Sequence, residues 1–433
     1  KGSLISQVMI EDGSVQFLDY QDQQKDKPLS LEMNHLHFSV MKSLVKSPYQ
    51  FTLKGDIPSS GASTAFQVSG AFDNFSEEKG FTGISIDGKI RLNPLNVSRF
   101  QPYFKKVLAK TPGWLSIDSS FSGNLGGALK TEGVLKYFSE IKQERAVIRD
   151  ARVPHRGGLE YKISMEKDSI NIEELKTETG PFKFKASGSL KNIFSKDPVV
   201  LIDLKTDTFQ VNRSIDYLPL KIFPEEYHEV IHKTFKNGSV KFNSFKFNGT
   251  VNQLREISKP ENRRKITGEI EMRKVDWQSP LPPLKKVTGT FKVDKGNSSF
   301  HIQKARYETQ PLTNLKGTIE NFITHPVADL SLENKLDMAQ FHRTLKKAFK
   351  GHPIHNAISI YSDIEGSANI KLNVKGPLED FDKLAIAGVI DLQSVSLAEK
   401  EFEPRIKKLN GKIIYTHTPE VAQRKNERWI RFL

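Results

Sequence analysis

The sequence contains no cysteine. That excludes a disulfide framework and a thiolate metal site, and it removes thiols as a guide to compartment. There is also no run of 18 apolar residues and no signal peptide, and the chain starts at Lys1, so nothing in these 433 residues reads as a bilayer-spanning helix. Tryptophan is scarce, with 3 residues. A P-loop, a G-x-S-x-G elbow and a G-x-G-x-x-G after a strand are all missing, and "GNLGG" around Gly123 fits a hairpin turn better than a phosphate cradle.

What the chain does have is phenylalanine, 28 residues of it, set singly among polar neighbours in a sequence that is 37% hydrophobic and 27% charged. The period is two. Ala368, Ile370, Leu372 and Val374 alternate with Asn369, Lys371, Asn373 and Lys375, and Phe182, Phe184 and Ala186 alternate with Lys183, Lys185 and Ser187. Such alternation is the mark of strands with one apolar and one solvated face. In "VKFNSFKFNG" the phase slips at Asn243-Ser244, which predicts a β-bulge or bend. The opening "MIEDGSVQFLDYQ" reads as a hairpin whose tight turn falls at Asp12-Gly13, with Val15, Phe17 and Tyr20 on the half-buried side.

The grammar repeats. Amphipathic helices are expected from Asn96, Ser214 and Asp337, each followed by a glycine that opens a strand, at Gly113, Gly238 and Gly366. The segments "GTVNQL" at Gly249 and "GPLEDF" at Gly376 fall at matching places, as do "GEIEMRKVDW" at Gly268 and "GVIDLQSVSL" at Gly388. The strands from Gly158 read against those from Gly289. The expected division is 1–95, an N-terminal hairpin segment, then repeat units 96–213, 214–336 and 337–433.

Three short helices cannot cover the apolar side of so many strands. The expected fold is mainly β: an elongated, curled antiparallel sheet forming a trough or repeating groove, with a few short capping helices. An apolar trough left open to water is an aggregation hazard unless it holds something. The residues expected to line it are Val15, Phe17, Ile170, Ile172, Phe182, Phe184, Val240, Phe242, Phe291, Ile370, Leu372 and Val374.

"SQVMIEDGSVQFLDYQ" resembles the recurrent "I-x-D/N-G-x-h-x-h-x-D" element of the AsmA family of Gram-negative envelope proteins, a superfamily with TamB-like and YhdP-like members. "SLEMNHLHFSV" is similar to that family's following strand, and "GSLKNI", "GTIENF" and "GPLEDF" to its strand ends. The resemblance covers most of the chain. It implies a periplasmic β-trough bridge held to the inner membrane by an N-terminal helix, which this sequence lacks, with an outer-membrane partner at the far end. The chain is then an internal fragment. The implied activity is non-enzymatic glycerophospholipid transport with acyl chains in the groove, and no cofactor is expected. The alternative is a periplasmic scaffold or chaperone for outer-membrane protein assembly.

"HEVIH", His228 to His232, is the rival signal, because two histidines at i and i+4 share a helical face and can hold zinc with the glutamate as general base. No third ligand stands in the metzincin position, Glu256 and Glu261, in a basic loop, are the only nearby gluzincin-like candidates, and the other two helices of the repeat read "FKKVLAK" and "LKKAFKG". A packing helix is the simpler reading, and metal binding by His228 and His232 the weaker one. His342, His352 and His355 lack a nearby carboxylate before Asp363, and read as satisfied or exposed histidines.

The net charge of +14 suits nucleic acid, anionic headgroups or simply Lys-rich solvated strands, with one local cluster at "KPENRRK", Lys259 to Lys265. A single-strand stacking platform needs phenylalanine and lysine on the same face, whereas strict alternation puts them on opposite faces. Nucleic acid is therefore not expected as a partner.

Overall fold

The computed structural model describes residues 7–19, 29–42, 48–58, 63–73, 81–97, 113–142, 152–214, 236–257, 259–277, 283–308, 310–320, 326–348, 355–356, 359–378, 380, 383–399, 402–418 and 429–432. The chain forms two compact units, Lys1–Leu204 and Lys205–Leu433.

The first unit contains β1 (Gln7–Asp19), β2 (Leu29–Met41), β3 (Tyr49–Ile57), β4 (Thr64–Asp73), β5 (Ser85–Asn96), β6 (Gly113–Asn124), β7 (Leu129–Lys142), β8 (Arg152–Glu166), β9 (Ser169–Thr179) and β10 (Phe182–Lys191). Every strand from β1 to β10 pairs antiparallel with the next. The chain passes from one unit to the other within β11 (Val199–Thr206).

The second unit continues with β12 (Phe209–Gln210), α1 (Val211–Ser214), β13 (Ser239–Thr250), α2 (Val251–Arg255), α3 (Pro260–Arg263), β14 (Ile266–Trp277), β15 (Leu284–Asp294), β16 (Asn297–Tyr307), β17 (Gln310–Glu320) and β18 (Val327–Asp337). Then follow α4 (Met338–Ala348), β19 (Tyr361–Pro377), β20 (Ala385–Glu399), β21 (Phe402–His417) and β22 (Trp429–Phe432). Here too consecutive strands from β12 to β22 pair antiparallel. The fold is mainly β and antiparallel, with few and short helices, as the alternation predicts.

Several local expectations meet the structure. The phase slip in β13 is a bulge, with a register shift between Phe242 and Ser244. Asp337 starts α4 as expected, accepting a hydrogen bond from the Gln340 N–H at 2.8 Å. The helices expected from Asn96 and Ser214, and Tyr20, lie outside the described residues, Asn96 and Ser214 themselves aside. Gly249 and Gly376 lie in the last two residues of β13 and β19, and "VNQL" after Thr250 falls in α2.

Asp12-Gly13 is a correction. It is no hairpin turn, because β1 runs unbroken through it and pairs with β2 on both sides of a bulge. Asp12 has the positive φ expected of it, 53°, and His35 opposite has 48°. The same double bulge recurs at Lys274 (φ 55°) with Lys286 (52°), and at Ser394 (51°) with Lys408 (54°). In the last two pairs each strand caps the other. The Lys274 N–H donates to Thr288 Oγ1 (3.2 Å) and the Lys286 N–H to Asp276 Oδ1 (3.0 Å). The Ser394 N–H donates to Asn410 Oδ1 (2.8 Å) and the Lys408 N–H to Ser396 Oγ (3.3 Å). The side chains between are sealed: Val275 and Val287 are 0% exposed and Val395 1%. Bulges bend and twist a strand, so paired bulges of this kind are a local device for curving a sheet.

Burial pushes the Asp276 carboxyl up, but hydrogen bonds from the Asn237 amide (2.8 Å) and the Lys286 N–H outweigh it and hold the group below its ordinary range. Asp276→Ala is expected to cost about 1–3 kcal/mol by leaving both donors unmatched, and Asp276→Asn less, as read by urea unfolding. Since the folded value lies below the unfolded one, this contribution is in place above the ordinary aspartate range and is lost as pH falls through the folded value.

Candidate functional site

The strand registers sort side chains onto two faces. In the first unit one row across the sheet runs Ile10, Phe38, Leu53, Val68, Ile90, Ser119, Gly133, Tyr161, Leu175 and Ala186. One residue along, on the opposite face, the row is Thr52, Ser69, Lys89, Ser120, Glu132, Lys162 and Glu174. The polar members of the apolar row satisfy one another: Tyr161 OH donates to Ser119 Oγ at 2.8 Å, and Ser119 Oγ donates to the Glu132 carbonyl at 3.0 Å. A satisfied hydroxyl pair keeps the face compatible with hydrocarbon.

The second unit repeats the sorting. Phe242, Ile270, Phe291, Phe300, Gly317, Leu330, Val374 and Ile386 form one row. Val240, Met272, Gly289, Ile302, Leu315, Leu332 and Leu372 form the next. The buried Asn334 beside them accepts from the Thr313 N–H (3.1 Å) and hydroxyl (2.8 Å) and donates to the Pro311 carbonyl (2.7 Å).

The registers place the residues expected to line a trough as follows. Val15 and Phe17 face Met33 and Leu31, Ile172 faces Ile163, Ile170 lies between Met165 and Leu190, and Phe182 and Phe184 face Thr179 and Thr177, all on the apolar side of the first unit. Val240, Phe242, Phe291, Ile370, Leu372 and Val374 share the apolar side of the second. His228, His232 and His352 lie outside the described residues. His342 is in α4, and His355 Nδ1 is 3.5 Å from Ser359 Oγ. Among the described residues no three His, Asp or Glu side chains group to hold a metal ion.

The two apolar faces differ in how much of each is sealed, which alternation does not reveal. In the second unit part of the face is closed, with Met272 and Ile302 1% exposed and Ile319 and Ala368 0%, while Phe242, Ile270, Phe291, Leu330 and Val374 are partly exposed. Part of that closure is α4, whose Met338 packs on the cluster of Ala368, Leu392 and Val395. In the first unit the middle of the face is half open, with Phe51, Leu53, Val68 and Leu92 partly exposed and Ile90 37% exposed. Its first strand is more open still, with Val15 48% and Phe17 57% exposed. Gly70 and Gly88 sit opposite each other in the adjoining row, and a Cβ on Gly88 would lie 2.7 Å from Phe121 Cζ, so the tip of that ring occupies the space that the glycine leaves.

The solvated face carries ion pairs between neighbouring strands: Lys162–Glu132 (3.3 Å), Lys292–Glu269 (3.0 Å), Lys371–Glu333 (2.8 Å) and Lys375–Asp329 (3.3 Å). The Lys371 ammonium holds the Glu333 carboxyl below its ordinary range. Exposed pairs of this kind add little stability but fix which face meets water. In the first unit this face has a shallow cleft of about 860 Å³ lined by both signs of charge, among them Lys89, Asp118, Glu160 and Lys176. Among the described residues no helix is long and apolar enough to cross a membrane.

The chain's sequence matches a family model described as YhdP protein over residues 138–422, which is more than half of its length. No curated protein and no solved structure matches it. An open antiparallel sheet with one apolar and one charged face is what the AsmA-type resemblance of the opening strands implies. The chain therefore belongs to the YhdP protein family, an AsmA-like family of envelope proteins associated with lipid transport.

Proposed function

We propose that this chain is a non-enzymatic segment of a periplasmic lipid-transport bridge, shielding the acyl chains of a phospholipid against the apolar face of its sheet. The observation that carries the reading is the half-open apolar face of the first unit, continuous through ten consecutively paired strands and free of unsatisfied polar side chains in its central row. Each methylene moved from water onto such a surface contributes about 0.8 kcal/mol. A lining of many similar side chains gives no single deep minimum, which suits sliding better than storage.

Solvent extraction of the purified chain is expected to release phospholipid, and the stripped protein to bind an apolar fluorescent probe that added phospholipid displaces. Recovery of no lipid together with no probe binding would rule the reading out. The exposed β1, with Met9 52% and Ile10 51% exposed, favours a second reading, a scaffold that pairs with a strand of an outer-membrane client. That reading predicts backbone pairing along β1 and no lipid.

A further inference from the structure

The apolar side of β18 and β19 is one strip with two halves. Leu330 and Leu332 pair with Val374 and Leu372, and all four are half-buried. Further along the same strands Leu336 pairs with Ala368 and Asn334 with Ile370, and all four are buried, the Asn334 amide being engaged by Thr313 and the Pro311 carbonyl. β20 continues both halves, with Ile386 beside Val374 and the buried Leu392 beside Ala368. The buried half is where α4 lies. That helix follows Asp337 directly, rests against β17, β18 and β19, and sets Met338 on Ala368, Leu392 and Val395.

The helix is seated lightly. Met338, Phe341 and Leu345 recur at helical spacing, yet each is only half-buried, and the one buried residue among those described in α4 is the polar Thr344. A helix committed to a core buries its large apolar side chains first. Its far end is tied by Lys347 Nζ to Glu308 Oε1 at 2.9 Å, a surface pair of the kind that adds little stability. Its near end is capped from within, since Asp337 Oδ1 accepts from the Gln340 N–H at 2.8 Å, and that cap travels with the helix. Two residues on from Glu308, Gln310 is 2% exposed and its Oε1 has no hydrogen-bond partner in the closed arrangement. A buried acceptor left unmet weighs against the arrangement that buries it.

We propose that the strip under α4, formed by Leu336, Ala368, Ile370 and Leu392, is a further acyl-chain site that α4 itself fills until a lipid displaces it. The occupant is an acyl chain because the covered half continues, strand for strand, the half-open strip at Leu330, Leu332, Leu372 and Val374. A chain advancing from the open half meets the surface that Met338 covers and exchanges one apolar contact for another, so the competition turns on small differences. The inference rests on the lipid-binding reading above and adds a gate to it: passage along the second unit requires α4 to lift.

Hydrogen exchange of the full chain, stripped of lipid and then given diheptanoyl phosphatidylcholine below its micelle concentration, is the test. In the stripped chain the amides of α4 are expected to exchange faster than the paired amides of β18 and β19, because the helix can open without parting a strand. Added lipid is expected to speed α4 by about threefold or more while slowing β18 and β19. Phe341→Ser loosens the seat and is expected to raise apolar-probe binding; unchanged binding in the folded variant would count against the gate. If the variant does not fold, the exchange of the parent chain decides. Lipid that slows the strands of the first unit but leaves α4 unchanged, or slows it too, would overturn the gate and leave the lipid reading standing. No response in any strand would overturn both.

Discussion

Val68→Glu is expected to reduce the phospholipid recovered with the purified chain about tenfold or more, while Ser69→Glu, one residue along, leaves it unchanged. Val68 lies between Leu53 and Ile90 in the central apolar row of the first unit, and Ser69 lies in the charged row behind it. A carboxylate under an acyl chain must either lose its water or be protonated, and the unfavourable transfer amounts to several kcal/mol. Tenfold corresponds to about 1.4 kcal/mol, so even partial rehydration leaves a measurable loss. The chain itself is expected to stay folded, because Val68 is only partly buried and its new charge can reach water once the lipid has gone. Quantifying lipid phosphorus per protein for the two variants reads the difference.

The largest stability effect is expected at Phe247. Truncating it to alanine removes a ring that is 1% exposed at the foot of β13 and should cost about 3–5 kcal/mol, whereas Phe17→Ala, at 57% exposure, should cost little. The same chemistry thus separates a packed interior from an open lining. Urea unfolding monitored by circular dichroism reads the first as a marked fall in midpoint. If Phe17→Ala were as costly, β1 would have to be covered by something that these strands do not supply. Added phospholipid should raise the midpoint of the parent chain but not change the cost of Phe247→Ala, because a ligand stabilises through the sites it touches.

Period-two alternation made the face assignment legible. Once consecutive strands pair antiparallel, the parity of Ile370, Leu372 and Val374 decides their side, and the slip at Asn243-Ser244 could be read as a bulge because the parity changed there. The double bulges were not legible. Their positive-φ residues include Lys274, Lys286 and Lys408, whose side chains give no hint of left-handed backbone, and only Asp12-Gly13 carried a signal, which suits a turn equally well. The pattern that could have found them is the polar residue two places on, Thr288, Asp276, Asn410 and Ser396, each of which caps the opposite bulge. Nor could alternation tell the sealed stretch around Met272, Ile302 and Ala368 from the partly exposed apolar residues of either unit, since both are written in the same apolar residues. That difference depends on curvature and on packing by elements such as α4, which arise between segments distant in sequence.

The most direct test of the account is photo-crosslinking of a phospholipid carrying a diazirine in its acyl chain, with the labelled residues mapped by mass spectrometry. Labelling is expected to follow parity in the first unit, at Leu53, Val68 and Ile90, and to spare Thr52, Ser69 and Lys89 beside them in the chain. Labelling of both sets alike, or of the charged set alone, would contradict an acyl chain lying on the apolar face.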